Sequence, residues 1–303
     1  MSKKLHKKDQ EVNAHQKDTT FNIIKREMLR DKVALSCFIF ISAVIIFLII
    51  TFFVISQTEV FQSNFDPRTV NQRPSLNHLL GTDAHGRENI MILIIAARNS
   101  LTITILVTLL SSVFGIIYGL ISGYFGGRVD SFMMGIIDSI STLPNVILLI
   151  ILLAILGGFS MFNYTMMLSF AAWLGIAKVV RARLIQEKEL EYIQASITLG
   201  TSHVRLIFYH LLPNLSTTII AGMVLNAVSV MGMEAGLSFL GFGFPNDMPS
   251  LGTLIASART FTVFRFRWWE WIPATILIAL IMFSINNIGN MLSRAFDARQ
   301  RRG

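Results

Sequence analysis

The chain has 303 residues, 53% of them hydrophobic and only 15% charged, with 26 Lys and Arg against 18 Asp and Glu for a formal net charge of +8. Soluble domains hold about a quarter charged residues, so this composition, with its mean hydropathy of +0.59, excludes an ordinary water-soluble globule as well as a disordered or collagen-like chain. The one cysteine, Cys37, lies inside an apolar run, which excludes a disulfide-stapled secreted scaffold.

The first 20 residues read as a polar tail without a motif. Phe21, Ile24 and Met28 then recur at helical spacing among Lys25, Arg26, Glu27 and Arg30. That pattern suits a short helix on the inner membrane surface, its basic side chains near anionic headgroups, and suits equally a basic flank that sets topology. Residues 33–56 carry no charge, and at 1.5 Å per residue they make a helix of about 36 Å, enough to cross a hydrocarbon core of about 30 Å. The run is too long, starts too late and lacks a small-x-small end for a cleaved signal peptide.

Further apolar runs near 101–125, 132–158, 162–180, 215–240 and 271–291 bring the expectation to an all-α integral membrane protein with six transmembrane helices. The domain plan is a tail with interfacial helix (1–32), a first span (33–56), an extracytoplasmic loop (57–97), a five-helix core (98–292) that includes a loop at 181–213, and a basic tail (293–303). With the N-terminus inside, 19 of the 26 Lys and Arg fall on the inner side, so the positive-inside rule predicts N-in, C-in topology. A nucleic-acid partner is not expected, because its basic residues would cluster on one face, whereas these punctuate hydrophobic segments.

In the outer loop, His78, Asp83, His85 and Glu88 put four possible metal ligands close together. The more economical reading, with no metal, has Thr82 or Asp83 capping a helix from Ala84 toward Arg98, with Glu88 near its positive end. The third span carries Asp138 near its inner end and a kink signal at Leu143-Pro144. Asp138 reads as a structural partner for a basic residue or as a translocation-pathway residue.

The stretch 181–213 is too long for a plain connector. One helix runs to Leu199, Gly200 suits the left-handed position that ends it, and Thr201 or Ser202 caps a second helix. The second presents Val204, Ile207 and Leu211 on one face and stops at Pro213. The result is a helix-turn-helix knob with a close-approach spot at Ala195, Ser196 and Gly200, shaped either for docking into another protein or for merely linking two spans. Glu234, toward the outer part of the fifth span, has two readings, a lining residue of a cavity or outer gate and an interhelical hydrogen bond. Before the last span, Phe261 through Trp271, with Arg265, Arg267, Trp268, Trp269 and Glu270, reads as an interfacial anchor or a docking surface.

The knob resembles the coupling loop of inner-membrane permease subunits of binding-protein-dependent ABC importers, whose pattern is Glu-Ala-Ala, three residues, Gly, nine residues, Ile, one residue, Leu-Pro. Gln194-Ala195-Ser196, Gly200 and Leu212-Pro213 match it in register, with Gln194, Ser196 and His210 as departures and Glu191 one turn before the motif. Further segments resemble the C-type permease of the peptide/nickel branch. They are His78-Leu-Leu-Gly81-Thr82-Asp83-Ala-His-Gly86-Arg87-Glu88, Gly123-Tyr124-Phe125-Gly126-Gly127-Arg128-Val129-Asp130, Leu237-Ser238-Phe239-Leu240-Gly241 through Pro245, and Pro249-Ser250-Leu251-Gly252.

The resemblance implies the type I importer permease fold in the cell inner membrane and import of oligopeptides or dipeptides. Nickel, metallophore or glutathione import remains an alternative within the same branch. It also implies three kinds of partner: a homologous B-type permease subunit, two ATPase subunits and an extracytoplasmic peptide-binding protein. Glu191, Gln194, Ala195, Ser196, Gly200 and Arg205 are then expected to face the ATPase, Glu234 and Asp138 the pathway, and Asp83, Arg87 and Trp268 the binding protein or outer gate.

The chain has no Gly-x-x-x-x-Gly-Lys-Ser/Thr loop, so it is not expected to be an enzyme. No cofactor is expected on it directly, and ATP and Mg would be used by the partner subunits. An ion-coupled secondary transporter would favour interrupted helices and midplane ionisable groups, but Asp138 and Glu234 lie at opposite depths. A membrane hydrolase would need a nucleophile with its base, or a His-Glu-x-x-His pair.

Overall fold

The computed structural model describes residues 20–54, 67–245 and 247–300. The tail before residue 20, the last two positions of the expected first span, and Arg301 and Arg302 lie outside the described residues. The chain opens with α1 (Thr20–Arg30) and α2 (Lys32–Val54). Between them Asp31 accepts from the amides of Val33 and Ala34, each at 3.1 Å, capping a helix whose first amides would otherwise have no partner. A short 3-10 turn, Pro67–Thr69, precedes α3 (Asn89–Phe125), which runs for 37 residues until Gly126 at φ +64° turns the chain.

Next come α4 (Gly127–Ser141) and α5 (Asn145–Ile155), bent by 90° at the intervening Leu143-Pro144, as expected where proline drives its predecessor out of helical geometry. The next helix, α6 (Met161–Lys188), starts at Ser160, whose hydroxyl accepts from the Asn163 amide at 3.0 Å. It is followed by α7 (Glu191–Thr198) and by α8 (His203–Leu240). The outer end of the chain then forms α9 (Leu251–Ala256) and α10 (Phe261–Phe266), and α11 (Trp268–Gln300) completes the fold.

Contacts between helix ends fix the direction of each pass. Arg267 at the start of α11 bonds Asn71, and Gly81 packs against Trp269, so α3 and α11 begin at one end, called outer here. Lys188 donates to the Tyr124 carbonyl at 2.6 Å and Tyr124 meets His203, so α3 and α6 finish, and α8 begins, at the inner end. Arg294 pairs with Asp31, which brings α1 and the end of α11 together. Among the described residues, α3, α6 and α11 thus each run between the outer and the inner end of the bundle, and α8 starts at the inner end.

By length and apolarity four helices among the described residues qualify as membrane spans, α2, α3, α8 and α11, and the bent pair α4–α5 is apolar enough to be either a broken span or a re-entrant loop. The expected fourth span, 162–180, forms the greater part of α6, which does not qualify as a membrane span by length and apolarity. The reason is its position. Leu168, Ala177, Val180 and Leu184 are buried against other helices while Phe162, Phe170 and Val179 are exposed, and a helix partly covered by protein need not be lipophilic over its whole surface.

Gly115, Gly119 and Gly123 form a stripe on α3 against α6, and a Cβ at Gly119 would lie 2.6 Å from the Ala177 carbonyl oxygen. Small residues at such a contact let two backbones approach in a medium that offers no hydrophobic drive between helices. Asn226 of α8 donates to Ser111 of α3 at 2.8 Å, and Arg181 of α6 makes a forked pair with Asp130 of α4. Large apolar side chains on the outside, such as Phe53 and Phe132, face away from the core. A surface of that kind belongs against lipid or partner helices.

Candidate functional site: the inner knob and the buried outer carboxylate

The helical knob is smaller than the stretch 181–213. Arg181 through Lys188 continue α6 and His203 onward belongs to α8, so the connection proper is 189–202 with α7 inside it. Ile193 is the buried anchor of α7 and packs with Leu184, Leu206, Leu211 and Leu215. Gly200, at φ +80°, ends the turn after α7, and its amide bonds the Ile197 carbonyl at 2.9 Å. Ser196 donates to Thr201 at 2.9 Å, closing the loop on itself.

Ser202, rather than Thr201, takes the cap position of α8, with no side-chain cap bond. Glu191, Gln194, Ala195, Gly200 and Arg205 are exposed and Ser196 is half-buried, so the structure brings the expected residues to one protrusion. The exposed set also includes Leu199, Val204, Phe208 and Tyr209. Apolar side chains on a protrusion beyond the bundle are an unfinished interface.

The second helix was expected to stop at Pro213. Instead the chain continues into α8, because Leu206–Leu211 form a π-helical stretch directly before it and Pro213 falls in the first turn of the regular helix that follows. A wider turn there leaves room for a ring that would clash with the preceding turn. Of the expected face of Val204, Ile207 and Leu211, Leu211 is buried and Ile207 packs against the same cluster as Leu206, whereas Val204 is exposed.

Lys188, Tyr124 and His203 tie the knob to the end of α3, with the Lys188 ammonium 5.3 Å from the Tyr124 ring centroid. The phenol of Tyr192, pushed above its ordinary value mainly by burial, accepts a bond from Asn214. Sequence reading singled out none of these contacts. Tyr124 lies in a quoted glycine-rich segment, but no spacing relates it to His203.

Glu234 lies at the outer part of α8 and is fully buried. Its Oε1 accepts from Ser238 at 2.9 Å and from Ser250 at 2.5 Å, and its Oε2 accepts from Ser100 of α3 at 3.1 Å. Ser100 also accepts from the Leu251 amide at 2.9 Å, while Asn99 donates to the Pro249 carbonyl at 2.8 Å. The structure therefore places Glu234 inside the subunit, not on a pathway surface, and the interhelical hydrogen-bond reading is the one its geometry matches. Asp138, by contrast, is exposed and pairs with Lys178 at 2.8 Å.

In the outer loop the expected helix from Ala84 is absent. Thr82 to Glu88 form a tight turn and α3 starts only at Asn89. Asp83 caps that turn, its Oδ1 accepting from the amides of His85 and Arg87 at 2.8 and 2.9 Å and its Oδ2 from Arg87 Nε at 2.7 Å. A carboxylate satisfied by its own turn holds the backbone there. His78 bonds Glu88 instead, and Asp83 pairs with Arg87 and lies 3.6 Å from His85. Trp268 is exposed and packs its ring edge-on to buried Trp269, 6.0 Å between centroids.

An all-helical membrane subunit with an exposed docking knob at one end and a closed polar hub at the other has the form of a permease component driven from outside itself. The sequence matches, over residues 115–302, the family described as binding-protein-dependent transport system inner membrane component, and the chain belongs to that family. It is 38% identical over 277 residues to the oligopeptide transport system permease protein OppC of Lactococcus lactis subsp. cremoris (strain SK11), covering 91% of this chain and 94% of that one. Against the dipeptide transport system permease protein DppC of Bacillus subtilis (strain 168), identity is 33% over 232 residues, covering 77% and 72%.

Among solved structures, an inward facing conformation of the MetNI methionine ABC transporter aligns with a TM-score of 0.58 at 17% identity, covering 68% of this chain and 96% of that one. The fold is thus that of an ABC importer permease. The chain is a multi-pass component of the cell membrane, and ATP hydrolysis lies in separate subunits.

Proposed function

We propose that this chain is one of two permease subunits, paired with a homologous B-type subunit, in an importer of oligopeptides or dipeptides. In this reading two ATPase subunits, using ATP and Mg, grip the knob of α7, and an extracytoplasmic peptide-binding protein delivers substrate at the outer end. The observation that carries it is the knob itself, in which buried Ile193 anchors α7 while Ala195, Gly200 and Leu199 stay exposed. The names of the relatives, at up to 38% identity over most of the chain, support peptides as the cargo.

Glu191, Gln194, Ala195, Ser196, Gly200 and Arg205 form the ATPase contact. Asp83, Arg87 and Trp268 belong to the outer face met by the binding protein, and Asp138 lies on the exposed side of α4 that completes the pathway with the partner subunit. Nucleotide-driven movement of the ATPases shifts α7, and the helices continuous with it move between inward-open and outward-open arrangements.

Co-purification from the native membrane and reconstitution with candidate binding proteins is the test. Peptide-stimulated ATP hydrolysis by co-purifying ATPases is expected, and solute movement driven by an ion gradient without them overturns the importer reading. Stimulation by a metal chelate but not by peptides overturns the cargo assignment. Ala195→Arg and Gly200→Val are expected to insert normally and lower uptake by about tenfold or more, whereas normal uptake in both removes the ATPase from this knob.

A further inference from the structure

The hub around Glu234 joins three segments that are distant in sequence, and a carboxylate is the side chain suited to do so. Its two oxygens can accept several hydroxyl donors at once, and here they collect Ser100 from α3, Ser238 from α8 and Ser250 from the loop before α9. Burying a carboxylate in a spanning helix is costly, so its presence calls for a role. The surrounding packing is equally committed. A Cβ at Gly252 would lie 2.8 Å from Ala235 Cα and 2.9 Å from Glu234 Oε1, so the first turn of α9 sits directly on α8. Ser250 also starts α9 through a capping box with Thr253.

From His203 to Glu234, α8 is a single helix of about 46 Å. Its inner end is packed onto α7 through Ile193, Leu206 and Leu211, and its outer end holds Ser250, at the start of α9, through Glu234. We infer that α8 is a rigid connecting rod and Glu234 the latch that fastens the outer cap, α9 and α10, to it, so that displacement of the knob reaches the outer mouth without an intervening joint. Glu234 is a positioning residue here, and it touches no cargo. The inference rests on the reading of α7 as the ATPase dock, and it assigns the outer cap to the body that moves with α8.

The test uses the assembled transporter with Cys37 replaced and spin labels at Val204 and Phe261, both exposed and on opposite ends of this body. One narrow distance, the same without nucleotide and with ATP trapped, is expected for the parent. Glu234→Ala is expected to broaden that distance and to lower uptake by about tenfold, while ATPase subunits still co-purify and basal hydrolysis persists. Glu234→Gln keeps an acceptor for Ser238 and Ser250 and a donor toward Ser100, so it is expected to hold the narrow distance and uptake within about threefold of the parent.

A narrow, unchanged distance with full uptake in Glu234→Ala overturns the latch, as does loss in Glu234→Gln equal to that in Glu234→Ala. If Glu234→Ala does not accumulate, Ser250→Ala, which removes only the cap's own link, decides in its place, and an unbroadened distance there overturns the proposal. Failure of the dock is seen separately, as Ala195→Arg leaving ATPase co-purification and uptake intact.

Discussion

Asp31 joins two pieces of the molecule. Its carboxylate caps α2 through the amides of Val33 and Ala34 and pairs with Arg294 near the end of α11. The Ala34 amide above all, with Arg294 and the Val33 amide adding to it, holds this carboxyl below its ordinary value. A carboxyl lowered in the folded state contributes stability that is complete above the ordinary carboxylate range and is lost as pH falls through the lowered value. Acid is therefore expected to loosen α1 from α11 below about pH 4, read as a lengthening distance between labels at Leu29 and Asn290. Asp31→Asn should flatten that profile, and an unchanged profile in the variant would assign the acid effect elsewhere. Gly200 is a residue-scale feature of another kind. No atom crowds its missing Cβ, yet its φ of +80° makes any L side chain strained, so its role is conformational.

Among the elements, α3 and α6 depend most on closeness. The glycine stripe lets the two backbones touch at Trp173, Ala177 and Arg181. Gly119→Leu has no flexible neighbour to displace, because the obstructing atom is a carbonyl oxygen, and it is expected to cost about 3 kcal/mol and to lower the thermal midpoint of the detergent-solubilised protein by several degrees. Gly175→Ala, in α6 with open space at its Cβ position, is the control expected to leave the midpoint in place. Equal effects of the two substitutions would show that the stripe does not hold the pair. The π-helical stretch before Pro213 makes a second point at this scale. A proline that ends a helix in a simple reading is absorbed by a local change of turn, and it is this change that makes α8 a continuous rod.

At the scale of the whole molecule, the bundle places α1, the α11 end and the knob at one end, and α9, α10 and the Asp83 turn at the other. The positive-inside rule assigns the first of these to the cytoplasm. With Cys37 replaced, Val204→Cys should react with a membrane-impermeant maleimide only in inverted vesicles and Phe261→Cys only in intact cells, and reaction of both from the same side would refute that topology.

Much of this was open to reading in one dimension, because lipid imposes its rules locally. Apolar runs long enough to cross a bilayer, basic residues gathered on one side, a glycine ending a helix at 200 and a Leu-Pro kink at 143–144 are each set by neighbours in the chain. So is the knob, whose members lie within a few turns of one another. Other features needed the fold. Glu234 was visible as a costly carboxylate, but its partners Ser100 and Ser250 come from separate segments, and Asp130–Arg181 and Tyr124–His203 likewise join residues with no common spacing. The fourth expected span, within α6, does not qualify as an apolar span, and part of its surface packs on other helices. By itself the sequence determined the membrane class, the topology signal and the helical turn at Gly200, all products of local hydropathy and backbone preference. Only the tertiary structure decided which polar groups satisfy one another inside the bundle, because a buried charge is satisfied by whichever donors the packing of distant helices brings within reach.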